Sequence, residues 1–192
     1  ILEHLHKDGK LVVNADDESV CKMKTDFKMI RFGLKKTCDF YADNLNVEPD
    51  KINFRLNGKW EINLNLVGRH NVYNALAAIA ASWDFGISID DIRDALEEFK
   101  VPNMRMEVKR LGEVKIINDT YNSNPMSMKQ AIEALGDVTT KGRKILVAGD
   151  MLELGNFSSR FHHLVGRQAA ESGIDYILAV GRQAEHVAKG AQ

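Results

Sequence analysis

Cysteine is scarce. The 192 residues hold only Cys21 and Cys38, with no C-x-x-C spacing, which argues against a disulfide framework or a thiolate zinc site and suits a reducing, cytoplasmic setting. Charge of one sign is lacking too: 26 Lys and Arg against 27 Asp and Glu leave a formal net charge of -1. No basic run supplies a local field, so neither nucleic acid nor an anionic membrane surface is an expected partner. No apolar run approaches the roughly 20 residues of a bilayer span, and the opening ILEHLHKDGK has no signal-peptide h-region. Phosphate-cradling glycine loops are missing as well, since no G-x-x-x-x-G-K-[ST] occurs and no G-x-G-x-x-G follows a strand. The first residue is Ile, in mid-pattern and without cap or turn, which reads as a fragment of something longer. What remains, 44% hydrophobic and 28% charged residues, is an ordinary globular composition with small-molecule partners expected.

The pattern divides in two. Leu11 to Asn14 reads as a buried strand opening into the turn-prone Ala15-Asp16-Asp17. Ile52, Phe54 and Leu56, then Asn57-Gly58, then Trp60, Ile62, Leu64 and Leu66 spell a hairpin around the favoured Asn-Gly turn. A helix is expected from about Asn71 to Trp83 and a second over 89–99, where Ser88 caps and Asp91 answers it. Lys100-Val101-Pro102-Asn103 stops that helix and marks a candidate domain boundary, giving domains 1–102 and 103–192. Beyond it, strands EVKIIND, KILVAGD and YILAVG alternate with helices MSMKQAIEALGDV and SRFHHLVGRQAAES, and a last helical stretch begins at Arg182. That alternation predicts βαβ crossovers and a small three-stranded parallel sheet, hence an α/β fold.

In open parallel sheets ligands gather beyond the carboxyl ends of the strands, where Asp119 and Asp150 stand. Either Asp has two uses, as a turn or cap residue and as a ligand. Asp119 is followed by Thr120-Tyr121-Asn122-Ser123-Asn124-Pro125, rich in hydroxyls and amides, with Asn124 a natural N-cap and Pro125 suited to the first helical position. Such a loop can meet a sugar or an anion at a helix N-terminus. Met151-Leu152-Glu153-Leu154-Gly155 is apolar for a strand-end loop and fits packing, with Glu153 open to either role. Arg105, beside the proposed boundary, suits a phosphate or carboxylate but equally an ordinary surface. None of the six histidines is assigned to a metal, and His162 and His163 cannot both face one way on a helix. A further puzzle is GRHNVYNALAAIAAS, an Ala-rich helix that spends Asn71 and Asn74 on one side, although Asn is a mediocre helix former and costly to bury.

Gly68-Arg69-His70-Asn71 with Asn74 resembles the G-x-H-N-x-x-N signature of the Mur ligases, ATP-dependent enzymes that build the peptide of peptidoglycan. Met104-Arg105-Met106-Glu107, Asn118 to Pro125 and Gly149 to Gly155 follow in the family's order. The YNSNP and GDMLELG forms are similar to the branch that adds D-Ala-D-Ala, whereas siblings adding single amino acids usually carry a D-Y-A-H-type loop. The resemblance implies the later part of a central ATP-binding domain followed by the first part of a Rossmann-like C-terminal domain. It further implies ATP and Mg2+ as cofactors, UDP-MurNAc-tripeptide and D-Ala-D-Ala as substrates, an acyl-phosphate route to the amide, and a monomer. By position, Asn74 would bond adenine, Asn71 would shape that pocket and His70 would support its loop. Arg105 would approach the ATP phosphates and Asp119 the ribose hydroxyls, with Tyr121, Asn122 and Asn124 where substrates meet and Asn74, Arg105 and Asp119 facing one cleft. The family's P-loop, magnesium carboxylate and carbamylated lysine are expected before Ile1, and a substrate-contacting C-terminal stretch after Gln192. No complete catalytic set is therefore expected in these residues.

Overall fold

The computed structural model describes residues 2–48 and 51–192. The chain forms two compact units, with the break between Lys100 and Val101. In the first unit a five-stranded sheet runs in chain order: β1 (Lys10–Asn14), β2 (Lys28–Gly33), β3 (Phe40–Val47), β4 (Ile52–Leu56) and β5 (Trp60–Leu64). A single helical turn, α1 (Glu18–Cys21), follows β1 and is capped by the Asp17 carboxylate. The first three strands are parallel and the last three antiparallel, with β3 paired to both kinds of neighbour. Asn57 and Gly58 have φ of 51° and 69°. Two successive left-handed residues make the turn that matches strand twist, so the β4–β5 hairpin stands where the Asn-Gly pair puts it.

Helix α2 (His70–Asp84) lies on β1, β2 and β3. Val72, Leu76 and Ile79 are each 0% exposed, and Ile30 and Phe32 of β2, the strand α2 packs on most, are buried as well. Full burial of such side chains is worth about 1.5–3 kcal/mol apiece. Small Ala75 and Ala80 sit on the same buried face. The Asp16 carboxylate ties the end of β1 to its neighbours, accepting from the Leu34 N–H at 2.7 Å and the Tyr73 hydroxyl at 3.2 Å. A Cβ on Gly33 would stand 2.8 Å from that carboxylate, which is why glycine ends β2. Helix α3 (Ile89–Glu98) begins as expected, with the Ser88 hydroxyl accepting from the Asp91 N–H at 3.2 Å, and packs on β5 through Ile92.

The second unit opens with a hairpin, β6 (Glu107–Leu111) and β7 (Val114–Asn118), turned at Gly112 with φ of 58°. Helix α4 (Pro125–Asp137) follows, then β8 (Ile145–Ala148), α5 (Ser158–Glu171), β9 (Tyr176–Ala179) and α6 (Glu185–Gly190). Strands β8 and β9 are parallel, joined by α5 in the expected βαβ manner. Ile132, Leu146, Ala148, Met151, Val165, Ala169 and Val187 form the core on one face of this pair. The expected three-stranded parallel sheet is corrected here: β7 makes its ladder with β6, antiparallel, and β8 makes its ladder with β9. β6 is rich in charge, so only its pairing to β7 declares it a strand. The last helix starts three residues later than expected because Asp150 draws the Gln183 and Ala184 amides into a turn.

Among the described residues no helix is long and apolar enough to cross a membrane.

Candidate functional site

Gly68 enters α2 with φ of 91°, and its carbonyl accepts from the Asn71 N–H at 3.0 Å. Asn71 is 9% exposed and hydrogen-bonded at both ends of its amide. Its Nδ2 donates to the Val67 carbonyl at 2.8 Å, and its Oδ1 accepts from Asn74 Nδ2 at 3.0 Å. The buried asparagine is thus a brace whose cost is met by hydrogen bonds. Asn74, one turn on and exposed, uses one amide proton in its bond to Asn71, and its carboxamide also carries an oxygen and a second amide proton. A donor and an acceptor in one plane match the N6/N7 edge of adenine. His70 stands half-buried in the first turn of the helix.

A second cluster forms where the chain enters β6 and leaves β7. Since Glu107 faces Asn118 in the ladder, residues 104–106 run beside residues 119–121. The Met106 N–H donates to Asp119 Oδ1 at 3.0 Å and the Tyr121 N–H to the Met104 carbonyl at 3.0 Å. Met104 and Met106 have φ of 62° and 50°, a left-handed conformation costly for either side chain, and Arg105 sits between them. Its guanidinium carbon lies 4.2 Å from the centroid of the Tyr121 ring. One oxygen of Asp119 is therefore spent on the backbone.

Glu107 fastens the same turn, accepting from the Met104 N–H at 3.2 Å and pairing with Lys109 Nζ at 3.1 Å. These contacts, the Met104 amide first, hold its carboxyl below the usual glutamate range. A carboxyl depressed by folding contributes stability that is present above its unfolded value and lost as pH falls through its folded one. The Met104 amide resonance is expected to titrate with a midpoint below the ordinary glutamate value of about 4.3. A midpoint at or above that value in a pH series of amide spectra contradicts the clasp.

The remaining candidates are mostly engaged in structure. Asn124 Oδ1 accepts from the Met126 and Ser127 amides at 3.0 and 2.9 Å, and Ser127 Oγ answers the Asn124 N–H at 3.0 Å. This capping box with Pro125 at the helix start occupies the Asn124 oxygen, while Asn122 is exposed, its Oδ1 accepting from the Ser123 N–H at 2.9 Å. Asp150 takes the structural of its two readings: Oδ1 accepts from the Gln183 and Ala184 amides at 2.9 and 2.7 Å. Met151 is buried and Leu154 packs against the core, whereas Glu153 is exposed with φ of 62°. Sequence reasoning missed His162. It is 0% exposed, accepts the Met151 N–H on Nε2 at 2.9 Å, and donates from Nδ1 to the Ser158 carbonyl at 2.8 Å. Its spacing of four from Ser158 on a helix was the available signal. Among the described residues no group of three or more His, Cys, Asp or Glu could hold a metal ion.

The asparagine pair thus stands in the first unit, and the Arg105, Asp119 and Tyr121 cluster in the second. Two family models match these same segments: the Mur ligase middle domain over residues 1–82, and "Mur ligase, glutamate ligase domain" over residues 104–192. The chain belongs to the Mur ligase family. UDP-N-acetylmuramoyl-tripeptide--D-alanyl-D-alanine ligase of Bacillus subtilis (strain 168) is 34% identical over 198 residues, an alignment spanning 100% of this chain and 42% of that protein. UDP-N-acetylmuramate--L-alanine ligase of Persephonella marina is 35% identical over 159 residues, 82% of this chain and 34% of that protein. The crystal structure of the Mur ligase MurF from Acinetobacter baumannii superposes with a TM-score of 0.89 at 31% identity, covering 98% of this chain and 42% of that one. The chain therefore spans less than half the length of the Mur ligases it matches.

Proposed function

We propose that residues 1–102 are the later part of the middle domain, and residues 103–192 the first part of the C-terminal domain, of a D-Ala-D-Ala-adding Mur ligase. The enzyme joins D-Ala-D-Ala to the tripeptide carboxylate of UDP-MurNAc-tripeptide in peptidoglycan synthesis, as a cytoplasmic monomer using ATP and Mg2+. The observation that carries this reading is the match to the Bacillus subtilis ligase over the whole of the chain.

ATP supplies the γ-phosphoryl group that converts the acceptor carboxylate to an acyl phosphate with release of ADP; the dipeptide amine then displaces phosphate to form the amide. Asn74, braced by Asn71, offers its open carboxamide edge to the adenine, and His70 supports the helix entry. Asp119 Oδ2 accepts from the ribose hydroxyls while Oδ1 holds the Met106 amide. Arg105 presents its planar donors to the phosphates, favouring bidentate contact. Tyr121, Asn122 and Asn124 line the loop assigned to the substrates, with the Asn124 amide nitrogen left over from capping.

The chain has no G-x-x-x-x-G-K-[ST] loop and, among the described residues, no group of three or more His, Cys, Asp or Glu that could hold a metal ion. By itself it is accordingly a partial nucleotide-binding module. Calorimetric titration of the 192-residue chain with ATP is expected to show weak binding, and incubation with all substrates no ligation. Formation of UDP-MurNAc-pentapeptide by the isolated chain overturns this part of the reading. The 35% identity to an L-alanine ligase favours a second reading, a Mur ligase with a single amino acid as donor.

A further inference from the structure

Arg105 is the one residue of its cluster held by an aromatic face. Its guanidinium carbon stands 4.2 Å from the Tyr121 centroid, and no carboxylate among the described residues pairs with it. Both partners are exposed, so the arrangement does not arise from core packing. The backbone beneath is instead built to impose it. Left-handed Met104 and Met106 flank Arg105, and each is tied to the opposite loop, Met104 through the Tyr121 amide and Met106 through the Asp119 carboxylate. Two unfavourable conformations one residue apart persist only where surroundings over-determine them, and here the surroundings are the loop that carries Tyr121.

We propose that Tyr121 is a positioning residue: its ring is a shelf that holds the Arg105 guanidinium flat and turns its N–H edge outward to receive a phosphate of a nucleotide. The proposal rests on the assignment of Arg105 to nucleotide phosphates. Stacking engages the face of the guanidinium and leaves all five in-plane N–H donors open, so shelf and anion do not compete. A free arginine side chain carries considerable rotamer entropy, part of which the shelf removes before the anion arrives. Tyr121 thereby serves the anion through Arg105, and its hydroxyl is not required.

The test uses the 192-residue chain and ADP. In proton–nitrogen spectra the Arg105 Nε–H signal, assigned by its loss in R105K, is expected upfield of the other exposed arginines because of the Tyr121 ring current. Y121F should keep that shift and Y121L abolish it. ADP should move the same signal, with a Kd about two- to fivefold weaker in Y121L and within twofold of wild type in Y121F. An unshifted signal in the wild-type chain shows that the shelf is absent. Equal ADP affinity in Y121L, with the signal still responding, overturns the shelf while Arg105 keeps its phosphate role. A ring-shifted signal that ADP leaves unmoved overturns the phosphate role of Arg105, and with it the proposal.

Discussion

Replacing His162 with alanine is expected to cost the second unit about 3 kcal/mol of stability. Two losses combine. The imidazole is 0% exposed among the side chains that cover β8 and β9, and truncating a buried side chain of this size leaves a cavity worth roughly 2–5 kcal/mol. It also strands the Met151 N–H, whose acceptor is His162 Nε2 at 2.9 Å, and a buried donor without a partner costs about 1–3 kcal/mol. Partial relaxation and water entry set the net value below the sum. The effect is local as well as global, because Met151 begins the loop that leaves β8 and Asp150 beside it anchors the turn before α6. Urea denaturation followed by helix signal, together with hydrogen exchange at the Met151 amide, measures both. A loss under 1 kcal/mol, or an unchanged Met151 exchange rate, contradicts the clamp.

Replacing Gly166 with alanine is expected to cost on the order of 3 kcal/mol, the upper part of the range for overpacking. A Cβ at Gly166 would fall inside the van der Waals shell of the Val187 carbonyl oxygen, and one at Gly190 inside that of the His163 carbonyl oxygen. Helices α5 and α6 therefore touch backbone to backbone at two reciprocal glycines. Neither obstacle is a flexible side-chain end, so the helices must separate, which opens contacts around buried Val165 and Val187. The gain in helix propensity from Gly to Ala, about 1 kcal/mol, acts against this and is too small to reverse it. Thermal melting of G166A against wild type decides the matter, and a melting temperature equal to or above wild type contradicts the close crossing.

How much of this was legible depends on the range of the interactions. The β4–β5 hairpin and the start of α3 are written in adjacent residues: Asn57-Gly58 supplies two left-handed positions, and Ser88 finds its amide three residues on. Asn71 and Asn74 could be paired by sequence because helix geometry brings i and i+3 together. Strand β3 was hidden by Asn44 and Asn46 at an irregularity in its pairing, and β6 by its Glu, Lys and Arg. Missing β6 also misassigned the sheet, since β7 takes β6 as its ladder partner. The approach of Arg105 to Tyr121 follows from the β6–β7 register and could not be read without it. The structural role of Asp150 depends on amides 33 and 34 residues away, and no local pattern announces such a partner.

The central claim, that these residues belong to a ligase adding D-Ala-D-Ala, is tested most directly in the full-length enzyme that carries them. Purified enzyme with ATP and Mg2+ would be offered UDP-MurNAc-tripeptide with D-Ala-D-Ala, UDP-MurNAc-tripeptide with single amino acids, and UDP-MurNAc with L-alanine, with product mass and phosphate release followed together. The account predicts UDP-MurNAc-pentapeptide formed with one phosphate and one ADP per amide, and a rate for D-Ala-D-Ala at least about a hundredfold above any single amino acid. Preferential addition of L-alanine to UDP-MurNAc, or of a single amino acid to the tripeptide, would contradict it.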